Sequence, residues 1–123
     1  MLAMALSCRR GRITQGLALM YDMKNLSRIS HLEANASKGM DAFWQFDRAA
    51  FEDGTVSALT KQLAAVAVAL TTQCPYCIEL HAKAAREAGA TDAQLSEIAL
   101  VAAAIRAGGA VTHATHLFPK TEG

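Results

Sequence analysis

Several things that would point to a partner or a compartment are missing from this 123-residue sequence. There is no long, clean apolar run: none exceeds the length of Leu63 to Leu70, far too short to cross a bilayer, so a membrane partner is not expected. There is no excess of one charge. Twelve Lys and Arg against eleven Asp and Glu leave a net charge of +1, without a basic stripe, which argues against nucleic acid as the main partner. Cysteine is sparse. Three residues, Cys8, Cys74 and Cys77, do not make the disulfide framework of a small secreted protein, and a reducing, cytoplasmic setting fits them best. No repeat, low-complexity segment or period-two strand pattern is visible.

What is present is apolar and helical. Residues of the apolar set make up 52% of the chain, many of them alanine. A chain of this length forms one domain with a small core, and alanine-rich helices bury little area each, so oligomer contacts are expected. Residues 1–25 read as a poorly structured tail, and residues 26–123 as the domain. The first twenty residues are basic and acid-free and could be a targeting segment, but no A-x-A-like cleavage site follows a sustained apolar core.

Helical spacing runs from Ser30 to Phe51, with an expected break near Gly39 and an end at Asp53-Gly54. Trp44 and the phenylalanines of this stretch read as core or subunit-interface residues. Ser57 caps a second helix, Ala58 to Thr72, whose apolar centre predicts burial on all sides. Pro75 marks the first position of a third helix with Cys74 as its N-cap, and Gly89 ends it. Thr91 and Gln94 have the form of a capping box for a fourth helix, reaching about Ile105. Gly108-Gly109 is expected to break or kink the chain, with a last helix over about Ala110 to Phe118. The expectation is a compact all-α bundle of five to six helices.

The chemistry concentrates in Cys74-Pro75-Tyr76-Cys77-Ile78-Glu79-Leu80-His81. A cysteine in the first turn of a helix feels the positive end of the macrodipole, which favours the thiolate. His81 lies one turn beyond Cys77 on the same face, as a base within reach. The second thiol can trap the first as a disulfide. Zinc competes for this reading, with Cys74, Cys77, His81 and either His113 or His116 as ligands, but no second CxxC is present and an alanine-rich core needs no metal to fold. Covalent haem attachment is excluded, because Ile78 and not histidine follows the second cysteine. Glu79 points to another face, Lys83, Arg86 and Glu87 form a charged exterior, and Cys8 is incidental. Arg106 snorkels or pairs with an acid. His113 could line the thiol site from across the bundle.

The segment TKQLAAVAVALTTQCPYCIELHAKAAREAGATDAQLSEIALVAAAIRAGGAVTHATHLF resembles the core of the AhpD-like alkylhydroperoxidase branch of the carboxymuconolactone decarboxylase family. The likeness covers about Met40 to Phe118. It implies an all-helical homotrimer or homohexamer that reduces small-molecule peroxides, or serves as a thiol-disulfide partner of a peroxidase system, and is reset by a dithiol reductant or partner redox protein without cofactor or metal. By position, Cys77 is implied as the peroxide-attacking thiolate, Cys74 as the resolving cysteine and His81 as part of a proton relay. Two positions depart from the pattern. Gln62 stands where the family has its relay glutamate, and Tyr76 where well-known members carry a second histidine. Both bear on peroxidase turnover and leave a dithiol-disulfide function intact. Two alternatives stay open: a redox-sensing or scaffold protein, and a decarboxylase-like enzyme, although that branch generally lacks the cysteine pair.

Overall fold

The computed structural model describes residues 21–120. Cys8 and the possible targeting segment lie outside the described residues. The chain divides into two compact units, Met1–Ala42 and Phe43–Gly123. In the first, Asp22 accepts a hydrogen bond from the Lys24 amide and so caps a 3-10 helix, Met23–Arg28. Helix α1 (Ile29–Asn35) follows directly. Its end differs from the expected break at Gly39. The chain leaves helical geometry at Ala36 (φ −141°, ψ 45°), and helix α2 (Ser37–Phe51) contains Gly39 in its first turn. The Asn35 side chain donates back to the His31 carbonyl at 2.7 Å, the kind of local bond by which asparagine competes with helix propagation.

The second unit holds the end of α2 and three further helices: α3 (Ala58–Thr72), α4 (Pro75–Glu87) and α5 (Asp92–His113). Among the described residues there is no strand. Helix α3 starts where Ser57 Oγ accepts from the Thr60 amide at 3.1 Å and Asp53 accepts from the Ala58 amide at 2.7 Å. It packs against both α4 and α5. The buried apolar residues are Val66 and Ala69 on α3, Ala85 on α4 and Ala102 on α5. Alanine at these contacts lets helices approach closely but removes little area from water. The expected all-round burial of α3 does not hold within the protomer. Two helices cannot surround a third, and Val68 stays 59% exposed.

Helix α5 begins with the expected capping box, Thr91 Oγ1 accepting from the Gln94 amide while Gln94 Oε1 accepts from the Thr91 amide. It does not break at Gly108-Gly109 but runs to His113, followed by a 3-10 helix, Ala114–Leu117. A helical glycine costs only about 1 kcal/mol relative to alanine, which helix-forming neighbours on both sides offset. The continuous helical stretch Asp92–Leu117 is long and apolar enough to cross a membrane by length and composition. That corrects the estimate from uninterrupted runs, which Arg106 and the glycine pair had cut short. Leu100, Ile105 and Val111 on α5 and Phe46 on α2 are 70% exposed or more, a large apolar display for one protomer.

Candidate active site

The α3–α4 junction builds the dithiol. Helix α3 ends at Gln73, whose backbone is left-handed (φ 55°, ψ 42°). The Gln73 and Cys74 amides both donate to the Ala69 carbonyl. This turns the chain sharply enough for Pro75 to open α4, where its fixed φ suits the first helical position and its missing N–H leaves no orphan donor. Cys74 is then the N-cap and Cys77 the third helical residue. The two are joined by a disulfide, with Cα atoms 5.3 Å apart, and the Cys77 amide donates to Cys74 Sγ at 3.3 Å. From the far side, Arg106 Nη1 of α5 donates to the Thr71 carbonyl at 2.7 Å. That bond satisfies one of the last α3 carbonyls and places a cation at the negative end of its dipole.

Cys77 and His81 line one apolar cavity of about 450 Å³, together with Phe51, Val68, Ala69 and Lys61 among others. His81 is half-buried and held on two sides. Phe51 stacks on its ring (centroids 5.0 Å apart, planes at 23°). Its Nδ1 lies 2.8 Å from Gln62 Oε1. An amide oxygen can only accept, so Nδ1 carries a proton and donates, which in the neutral ring leaves the lone pair on Nε2. A second cavity of about 530 Å³ shares Phe51 and His81 with the first, but is lined by Gln62, Asp47, Arg48 and Glu52 instead of the cysteine. The imidazole thus stands between an open apolar groove lined by Cys77 and an open charged one.

The structure therefore brings Cys74, Cys77, His81 and Gln62 together. Tyr76 is half-buried at the second position of α4, beside the cysteines in sequence. Glu79 is exposed and lines neither cavity, as its helical angle requires. His113 does not line the thiol cavity. It sits exposed at the end of α5 with its ring against His116, centroids 6.1 Å apart. The zinc set proposed from sequence is not assembled: among the described residues no three His, Cys, Asp or Glu side chains are grouped to hold a metal. Arg106 caps α3 at the Thr71 carbonyl rather than pairing with a carboxylate. Phe51 and Lys61 were not expected at the site. Phe51 was assigned to a core or interface by its apolar spacing. Lys61 is legible only as the charged neighbour of Gln62 at the start of an otherwise apolar helix.

An all-helical fold presenting a cysteine pair at a helix start, with a histidine one turn on, defines the structural class of the described residues. Within it, residues 38–118 match the carboxymuconolactone decarboxylase family, and the chain belongs to that family. It is 54% identical over 74 residues to a Paracoccus denitrificans protein described as uncharacterized protein 4 in the cox locus, covering 60% of this chain and 67% of that one. A crystal structure of a protein from Methanobacterium thermoautotrophicum superposes with a TM-score of 0.69 at 33% identity, covering 74% of this chain and 99% of that one. A carboxymuconolactone decarboxylase family protein from Legionella pneumophila, crystallised in its apo form, gives a TM-score of 0.65 at 27% identity, over 75% and 82% of the two chains.

Proposed function

We propose that this protein is a thiol-dependent oxidoreductase of the alkylhydroperoxidase type, which reduces hydroperoxides through a Cys74–Cys77 dithiol/disulfide cycle. The observation that carries the reading is the shared cavity: Cys77, at the start of α4, and the basic His81 line the same apolar chamber, with Cys74 already bonded to Cys77. His81 Nε2 takes the thiol proton. The Cys77 thiolate attacks the terminal peroxide oxygen, the O–O bond breaks, and the released alkoxide takes a proton to leave as alcohol. Cys77 is now a sulfenic acid. The Cys74 thiol displaces its hydroxyl, giving the disulfide and water. An external dithiol, small or carried by a partner redox protein, returns two electrons by exchange.

Gln62 supports a specific restraint on this chemistry. It fixes the tautomer of His81 but contributes no charge to stabilise an imidazolium, so proton transfer is slower than with a carboxylate. This favours, as a second reading, a redox sensor that is oxidised once and reset slowly. The exposed apolar faces of α2 and α5 support a homotrimer or homohexamer. Arg106 lies within the apolar stretch of α5, where a charge in a bilayer costs about 2.5 kcal/mol or more, which supports a packing helix over a membrane span.

The test is to add one equivalent of alkyl hydroperoxide to the reduced protein, count free thiols and analyse the peptide holding both cysteines by mass spectrometry. Rapid loss of two thiols with that disulfide formed is expected. Thiols that stay reduced through excess peroxide overturn the peroxidase reading.

A further inference from the structure

We infer that the preferred hydroperoxide is anionic: an apolar body seated in the thiol cavity, with a carboxylate held at the rim by Lys61. The inference rests on the peroxidase reading above and narrows its substrate class. The cavity, about 450 Å³, is within the range of small-ligand sites, and four of its ten lining residues are alanine, with Phe51 and Val68 beside them. The apolar majority of that lining, six of ten residues, suits a hydrocarbon body. No acidic side chain lines it, and Lys61 is its one lysine or arginine. The Lys61 ammonium is tethered at the end of α2, where Nζ donates to the Glu52 carbonyl next to Phe51. One donor is used there, and an ammonium has three, so two remain for a ligand. Both acidic residues of this region that line a cavity, Asp47 and Glu52, line the neighbouring chamber instead. An apolar groove with a single pinned cation and no anion fits a fatty-acid-like hydroperoxide better than a neutral one.

The test uses two ligand pairs that differ only in head-group charge. Decanoate and 1-decanol, each below its micellar or solubility limit, are titrated into the oxidised protein by calorimetry. Linoleic acid hydroperoxide and its methyl ester are compared as oxidants of the reduced protein. For a half-exposed ion pair, decanoate is expected to bind about fivefold tighter than decanol. The acid hydroperoxide should half-saturate at a correspondingly lower concentration than the ester. Lys61→Met should bring both ratios to about one, and Lys61→Arg should keep them. Equal binding of decanoate and decanol to the unaltered protein overturns the inference, as does a preference that survives Lys61→Met. If decanoate is preferred through Lys61 and neither hydroperoxide oxidises the dithiol, the peroxidase reading fails while the anion site stands. If both hydroperoxides oxidise it equally, the peroxidase reading stands and the carboxylate preference fails.

Discussion

Replacing Gln62 with glutamate changes one atom of the site and tests the role of His81 directly. Gln62 Oε1 already lies 2.8 Å from His81 Nδ1, so a carboxylate at that position inherits the contact without new geometry. A neutral hydrogen bond contributes about 1 kcal/mol net, and one to a charged group about 1.5–3 kcal/mol. Both residues are half-buried, so the gain in favour of the imidazolium falls inside the roughly 0.5–2 kcal/mol difference of those figures, about 1 kcal/mol. Felt fully in the transition state for thiol deprotonation, that is a roughly fivefold faster attack on peroxide. Gln62→Leu provides the opposite arm: it removes the acceptor, frees the tautomer and should slow the step. The assay is the loss of free thiol after one equivalent of tert-butyl hydroperoxide, followed in time at constant pH, with far-ultraviolet circular dichroism confirming that each variant is folded. Equal rates in all three proteins would refute the placement of His81 as the base.

Cys77→Ser should abolish peroxide consumption, whereas Cys74→Ser should leave the first step intact and accumulate a sulfenic acid, read by mass after trapping with a carbon nucleophile. Thr91→Ala removes the capping box of α5 and should cost about 1 kcal/mol, seen as a lower midpoint in urea with unchanged slope. Arg106→Met removes the cap on the Thr71 carbonyl. It should cost about 1 kcal/mol and speed hydrogen exchange in the last turn of α3, and an exchange pattern equal to the parent's would show that the bond does not hold the junction.

The local chemistry of the cysteine segment was legible because each part of it is punctuated. Proline at a helix start, a cap before it, a glycine after the last turn of α4 (φ 101° at Gly89) and a capping box at Thr91 are all short-range signals, and each sits where its backbone role requires. The misplacements come from longer-range energetics. Gly108-Gly109 looked like a break because single-residue propensities were read without the neighbouring helix formers. The α3 helix looked fully buried because an apolar sequence does not say how many helices surround it. The pairing of His81 with Gln62 spans 19 residues and two helices, so spacing alone could not supply it; only the likeness to a family pointed to position 62. Phe51 and Lys61 were missed for the same reason. The turn at Asp53-Gly54 brings the end of α2 beside the start of α3, and no local pattern announces which side chains that turn will place against an imidazole on α4.

A CxxC alone does not make a reactive dithiol; the backbone around it does. Gln73 adopts the left-handed conformation that costs a residue with a side chain roughly 1–2 kcal/mol. It stays there because the Ala69 carbonyl accepts from both Gln73 and Cys74, because the Thr72 hydroxyl bonds the Val68 carbonyl, and because Arg106 of α5 holds the Thr71 carbonyl. If glycine replaced Gln73, the strain would go but the unfolded chain would gain freedom, and the two effects are of similar size. The strain is therefore a poor target for stabilisation. What it does is aim the chain so that Cys74 can cap the same helix whose first turn carries Cys77. The thiol spacing, the helix-start position of Cys77 and the cavity it shares with His81 all follow from that one turn, and the turn in turn depends on a guanidinium from a helix that contributes nothing else to the chemistry. The geometry of the pair belongs to the three-helix packing, and the sequence motif records where that packing puts it.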